Sequence, residues 1–153
     1  MKDYGELWDD YSIEFNSKLV ECNGDWSKLD KDEQEIAALW KLFVDINNGG
    51  FIQFFCNWGY ECLCYAMRGL KRIEDTSLYD LLADTYYDVL EKFKNDTRLT
   101  AYWDIPEYLT DEDEKHLDIT DTQFYETECE NFTKMAYEYY CQTLKKTVTS
   151  FDA

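Results

Sequence analysis

Asn47-Asn48-Gly49-Gly50-Phe51-Ile52-Gln53-Phe54-Phe55-Cys56-Asn57-Trp58-Gly59 joins two stretches of helical periodicity. Two adjacent glycines stop a helix, because glycine enters the left-handed region without steric cost. Three phenylalanines within five residues then supply apolar bulk. The stretch predicts a sharp helix-to-helix corner with Phe51, Phe54 and Phe55 plugging the core. Gln53 and Asn57 are placed to satisfy backbone groups freed by the break, since buried polar groups must find partners.

Working outward, apolar spacing is helical almost throughout. Upstream, Ile36, Leu39, Trp40, Phe43 and Ile46 share one face behind a capping box at Asp30-Lys31-Asp32-Glu33. A first helix carries Tyr4, Trp8, Tyr11, Phe15, Leu19 and Cys22. Downstream, a short helical piece covers 51–57, and a further helix covers 60–72 on Tyr60, Leu63, Met67 and Leu70. Ser77 is placed to cap the next, with Leu78, Leu81, Leu82, Val89 and Phe93 inward. Residues 96–119, around the single proline Pro106, read as irregular with one short turn near 111–117. Thr120-Asp121-Thr122-Gln123 can cap a long last helix with Tyr125, Cys129, Phe132, Ala136, Tyr139 and Thr143 on one face. No alternation typical of strands occurs. The expectation is one all-α domain over 1–153, a compact bundle of about six helices with a Gly-Gly corner.

The pattern Asn48-Gly49-Gly50-Phe51-x-Gln53-Phe54-Phe55-x-Asn57 resembles the C-terminal domain of the bacterial DNA-mimic protein family, over roughly residues 30–145. Trp58 departs from that pattern, since relatives more often carry a small polar residue there. The resemblance implies an all-helical, acidic fold. A characterised member of the family acts as a dimer on the DNA-binding face of a transcription repressor. For this chain the resemblance therefore implies a similar partner and leaves a homodimer open. None of the matched residues is acidic, so the motif speaks for the fold, and mimicry has to rest on carboxylates elsewhere.

Those carboxylates are abundant. Asp and Glu number 33 against 15 Lys and Arg, a formal net charge of −18 over 153 residues. Residues 1–35 carry a net −7 and residues 104–130 a net −10, so two segments hold nearly all of the excess. Such a field attracts cationic partners and repels nucleic acid and anionic membranes. On the first helix Glu6, Asp10, Glu14 and Glu21 fall on one stripe opposite the aromatic face. Asp80, Asp84, Asp88 and Glu91 form a second row. Like charges one turn apart destabilise a helix by roughly 0.2–0.5 kcal/mol per pair. The second row spreads four carboxylates over roughly 16 Å, a length in which one DNA strand places about five phosphates. With the run Asp111-Glu112-Asp113-Glu114, these rows are the candidate phosphate-mimicking surface. Acidic helix faces also serve simply as solvated surface, and acids in a first helical turn suit the macrodipole.

Other chemistries lack their motifs. The one histidine, His116, has no accompanying nucleophile motif and reads as a solvated surface residue. Cys62-x-Cys64 lacks zinc spacing, so both read as buried thiols. Asp111-x-Asp113-x-Lys115-His116 places Lys and His where a calcium loop needs an oxygen ligand and Gly. No cofactor or metal is expected, and no catalysis. No apolar run approaches a membrane span, and the N-terminus has no signal-type apolar region. Six cysteines therefore read as mostly buried reduced thiols in a cytoplasmic protein. Aromatics at 18% argue against disorder and suit half-wet interfaces. The expected function is non-enzymatic binding of a basic protein such as a transcription regulator. The alternatives are an immunity protein that neutralises a cationic toxin, and a small-molecule-binding domain or enzyme with a Tyr/Trp-lined pocket.

Overall fold

A computed structural model describes residues 1–149. Among them every regular element is helical. Helix α1 spans Tyr4–Glu21 and leads through a 3-10 turn, Trp26–Lys28, into α2, Lys31–Arg72. Helix α3, Thr76–Thr85, continues into a π-turn, Tyr86–Leu90, and a 3-10 turn, Glu91–Phe93. A 3-10 stretch, Tyr102–Tyr108, precedes α4, Asp111–Gln123. From there the chain stays helical through a π-turn, Phe124–Glu128, then α5, Cys129–Ala136, and a last π-stretch, Tyr137–Thr143.

The start of α2 is the capping box read from Asp30 and Glu33. The Asp30 side chain accepts from the Glu33 N–H, and Glu33 Oε1 accepts from the Asp30 N–H, each at 2.9 Å. Helix α2 is not one rod. Gly49 (φ −153°, ψ 17°) and Gly50 (φ 85°, ψ 175°) break it, and Gly59 (φ 76°, ψ −165°) breaks it again. Side chains from elsewhere fill both corners. The Asp121 carboxylate of α4 lies against Gly50, and the Tyr102 ring against Gly59.

The polar residues of the corner act differently from the sequence expectation. The Phe51 N–H, freed by the break, donates to Asp121 Oδ1 at 2.9 Å, so a residue 70 positions away caps the restarting helix. Gln53 and Asn57 turn instead to the buried Asp45, donating at 3.1 and 3.4 Å. The Trp58 indole N–H donates to the same carboxylate at 2.6 Å, and the Lys41 ammonium sits 3.4 Å from the Trp58 ring centre. Burial lowers the Lys41 ammonium below its ordinary value, against the upward pull of Asp45. Trp58, the departure from the family pattern, is thus part of the corner's hydrogen-bond network.

Helix α2 is the hub. It packs on α1, α3, α4 and the 102–108 stretch. Trp8, Phe15 and Leu19 of α1 meet Ile36, Leu39, Leu42 and Ile46 of α2 and Phe132, Ala136 and Tyr140 near the C-terminus in one continuous core. Phe51 and Phe54 are fully buried and Phe55 nearly so.

Two boundaries differ from the sequence reading. Asp75, not Ser77, caps α3, accepting from the Leu78 N–H at 3.1 Å. Ser77 donates to Glu128 Oε1 at 2.6 Å. The last helix begins at Asp111 rather than at Thr120, because Thr110 and Asp113 form a capping box. Thr120 lies inside the helix, buried, 2.7 Å from the Thr85 hydroxyl.

The inward face of the C-terminal helix also shifts. Phe124, Glu128, Phe132, Ala136 and Tyr140 are buried, whereas Tyr125 is exposed. That series has a constant spacing of four. In an α-helix such a series drifts by about 40° per step. The wider π-turns wind back against the drift and keep the series on one face.

Asp75 and Glu128 form a buried acid pair, each with one oxygen lacking a hydrogen-bond partner. Burial first, and the Glu128 charge second, raise the Asp75 carboxyl above its ordinary value; the Leu78 N–H pulls the other way. A group whose folded-state value is raised stabilises fully below its unfolded value, about 3.9. That contribution is lost as pH rises through the folded value. Asp75→Asn keeps an acceptor for Leu78 and removes the charge. It is expected to raise stability near pH 7 by about 1 kcal/mol and to give no gain below pH 4. Urea unfolding between pH 3.5 and 8 checks this; an equal change at both ends would refute it.

Candidate protein-binding surface

The acidic residues named from the sequence fall into two separate places. On α1, Glu6, Asp10, Glu14 and Glu21 are all exposed, opposite the buried Trp8, Phe15 and Leu19. Their charges are not equally available. Glu6 closes a capping box, accepting from the Asp3 N–H at 3.3 Å while its own N–H donates to Asp3 at 2.8 Å. Asp10 pairs with Lys2 at 2.5 Å. Among the described residues, Glu14 and Glu21 have no cation within ion-pairing distance. Helix α1 packs on α2, α5 and the 137–143 stretch, so this row lies apart from α3 and α4.

The second row is cleaner. Asp80, Asp84, Asp88 and Glu91 are exposed, and none meets a Lys or Arg within ion-pairing distance among the described residues. Asp88 stands 3.9 Å from His116 Nδ1. That contact brings the row to α4, which packs on α3 and on the 86–90 turn. Asp88 and Glu112 line one shallow concavity with Lys115, His116 and Ile119. His116 is therefore half-buried between two acidic elements rather than an isolated surface histidine.

On α4 itself Asp111, Glu112 and Glu114 are exposed. Asp113 also lines the concavity beside Asp88 but offers little free charge. It is buried, accepts from the Thr110 N–H at 3.0 Å and pairs with Lys92 at 2.5 Å. Burial alone would raise its carboxyl, but the Lys92 ammonium and the Thr110 donors hold it below its ordinary value. It holds the start of α4 against the segment after α3. Two acids missed by the sequence reading extend the surface: Asp118 and Glu126 are exposed along the same helix and border one further depression. Their spacing from Glu114, four and twelve residues, is the signal that would have found them. For Asp118 the irregular reading of 96–119 conceals that spacing; Glu126 lies in the stretch expected to be helical.

A second feature lies beside the α3 row. A groove of about 350 Å³ separates the 60–72 part of α2 from α3, with Tyr60, Tyr86 and Tyr87 among its walls. Tyr60 and Tyr87 are exposed, as are Trp58, Tyr102 and Trp103 near the second corner. The buried pair Asp75 and Glu128 lines no part of this groove.

Among the described residues, no three His, Cys, Asp or Glu side chains are placed to hold a metal. The cysteines are all free thiols. Cys56 and Cys62 are buried, Cys22, Cys129 and Cys141 half-buried, and Cys64 exposed, which corrects the expectation of mostly buried thiols and of a buried Cys64 in particular. Burial pushes the Cys56 thiol up to about 12. No described helix is long and apolar enough to cross a membrane.

Comparison with curated proteins and with solved structures finds no match. Comparison with protein families finds one, described as DMP19-like protein, over residues 27–143. The matched region takes in α2 with its Gly-Gly corner, the α3 row, and all of α4 and α5. Covering well over half of the sequence, it shows that the chain belongs to the DMP19-like family, the DNA-mimic family that the Asn48–Asn57 pattern resembles.

Proposed function

We propose that this chain is a non-enzymatic binder that presents carboxylates in place of DNA phosphates to the basic DNA-binding face of another protein, such as a transcription regulator. The observation that carries the reading is the second row: Asp80, Asp84, Asp88 and Glu91 lie exposed along α3 and the two turns that continue it, with no Lys or Arg within ion-pairing distance among the described residues. Glu112 of the adjoining α4 lines the same concavity as Asp88, and Asp111 and Glu114 are exposed on that helix. Helices hold the carboxylates rigidly, so little entropy is lost in ordering them on binding. Glu14 and Glu21 form a minor second patch. Asp113, Asp10 and Glu6 already have partners and contribute less.

Asp84→Lys combined with Asp88→Lys tests the reading. Both side chains are exposed, so the fold should survive. Against a DNA-binding protein captured from lysate at low salt, the double variant is expected to bind about a hundredfold more weakly. Wild-type binding should weaken steeply between 50 and 200 mM salt, and the variant's salt slope should be shallower. Capture that ignores salt, or an unchanged affinity of the double variant, would remove the basis for mimicry.

A further inference from the structure

The groove between the 60–72 part of α2 and α3 adjoins the acidic row and differs from it in kind. Leu63, Met67 and Leu82 are among the residues that floor it, and Tyr60, Tyr86 and Tyr87 wall it. Its volume, about 350 Å³, suits one or two large side chains rather than a whole helix. The Tyr60 and Tyr86 rings lie 5.4 Å apart, and Tyr86 and Tyr87 5.3 Å apart, so the walls are a packed aromatic set. Glu91, the last acid of the row, is close enough to the Tyr60 and Tyr86 hydroxyls to act on their ionisation. Groove and row are thus two faces of one helix: Tyr79, Leu82, Ala83 and Tyr86 point into the groove, while Asp80, Asp84 and Asp88 point to solvent.

The opposite wall is cationic. Arg68 donates to Glu35 at 2.6 Å and still borders the groove, and Lys71 is exposed beside it. A Lys or Arg side chain entering the groove would face like charge there. An uncharged apolar side chain would meet leucine, methionine and tyrosine rings.

We infer that the groove receives an apolar anchor side chain (Leu, Ile, Met or Phe) of the same basic partner whose cations meet the α3 row. The inference rests on the mimic reading. DNA-binding surfaces commonly carry such side chains among their cations, to touch thymine methyl groups or to wedge between base steps. A decoy that offers only carboxylates leaves them facing water. Charge rows chiefly set encounter rate and register, whereas a buried anchor in a central pocket supplies most of the affinity. Row and groove on one helix give both, at the spacing of adjacent helix faces.

The test uses two helical 16-residue peptides with the same lysines. One has alanine at every other position. The other has two leucines one turn apart on the side next to the lysine stripe. Binding to the full chain is read by fluorescence anisotropy at 50 and 200 mM salt. The leucine peptide is expected to bind wild type about tenfold or more tightly than the alanine peptide, with a similar salt slope. Ala83→Trp fills the groove and should abolish the difference, leaving alanine-peptide binding unchanged. Tyr87→Ala, at an exposed wall position, should reduce the difference with less risk to the fold, which circular dichroism monitors in both variants.

Equal affinities of the two peptides for wild type, or a leucine advantage that persists in Ala83→Trp and Tyr87→Ala alike, would overturn the anchor. Salt-dependent binding of the alanine peptide would then still support the mimic reading. If neither peptide binds in a salt-dependent way, that reading falls and takes the anchor with it. A wild-type dimer in sedimentation that Ala83→Trp converts to monomer would assign the groove to a second copy, and would overturn the proposal.

Discussion

Glu35→Ala is expected to lower the stability of this protein by about 3–4 kcal/mol, one of the largest single-residue losses in the chain. Glu35 is fully buried in α2 and is the shared acceptor of three donors. Arg68 Nε donates at 2.6 Å, Arg72 Nη1 at 2.9 Å and the Tyr140 hydroxyl at 2.8 Å. The two guanidiniums can survive its loss. Arg72 retains Asp32 and the Tyr139 hydroxyl, Arg68 retains Gln34 and the Lys31 carbonyl, and both are partly open to water. Tyr140 cannot, because it is fully buried and its hydroxyl donates to no other group among the described residues. An orphaned buried hydroxyl costs about 1–3 kcal/mol, and the emptied carboxyl volume adds a cavity term.

Glu35→Gln separates these parts. It keeps an acceptor oxygen for Tyr140 and loses the charge, so its cost should be about half that of the alanine variant. Tyr140→Phe in the Glu35→Ala background should recover stability, since the orphan is removed with it. Urea unfolding of the four proteins settles the matter. A loss under about 1 kcal/mol for Glu35→Ala would mean that this cluster does not hold α2 to the C-terminal helix.

That cluster illustrates what was legible in the sequence. Helix content was open to reading, because one proline, glycines confined to a few positions, and apolar residues three or four apart leave little alternative. The Asp30–Glu33 capping box was visible because its four residues are contiguous. The start of α4 was equally local, Thr110 to Asp113, yet the helix was missed. Residues 111–116 contain no apolar side chain, so no periodicity announced it. The face of the last helix was misjudged for another reason. π-turns change the number of residues per turn, and no residue type marks where they occur.

The candidate surface divides in the same way. That Asp80, Asp84 and Asp88 recur at every fourth position is legible from the sequence. The π-turn at 86–90 and the 3-10 turn at Glu91 that end the row are not, and they place Asp88 beside His116 and Glu91 beside the Tyr60–Tyr86 groove. Which acids are neutralised is not legible either. Asp113 meets Lys92 from 21 residues away, and Asp10 meets Lys2 only because the chain before α1 folds back. Such pairings are tertiary facts. The groove too is tertiary, because its walls come from two helices whose crossing no local pattern states.

Gly50→Ala is expected to cost about 3 kcal/mol or more, from two independent sources. The first is backbone. At φ 85° and ψ 175° Gly50 occupies a region that is essentially closed to residues with a Cβ. The second is contact. A Cβ built there would strike the Asp121 carboxylate, which sits against the corner to accept the Phe51 N–H. The Asp121 side chain can move aside only by giving up the Phe51 N–H. Asp121→Ala alone loses the cap of the restarting helix and should cost about 1 kcal/mol. In the double variant the clash is gone but the strain remains, so the two losses should sum to more than the measured total. Gly49→Ala provides the contrast. Gly49 has a negative φ, and its added Cβ would meet Gln53, a half-buried side chain whose amide can shift. The ranking by thermal unfolding should therefore be Gly50→Ala well below Gly49→Ala, and Gly49→Ala below wild type. If the two glycines prove interchangeable, the corner is held by phenylalanine packing alone, and the Asp121 cap does not fix how α4, with its exposed acids, meets α2.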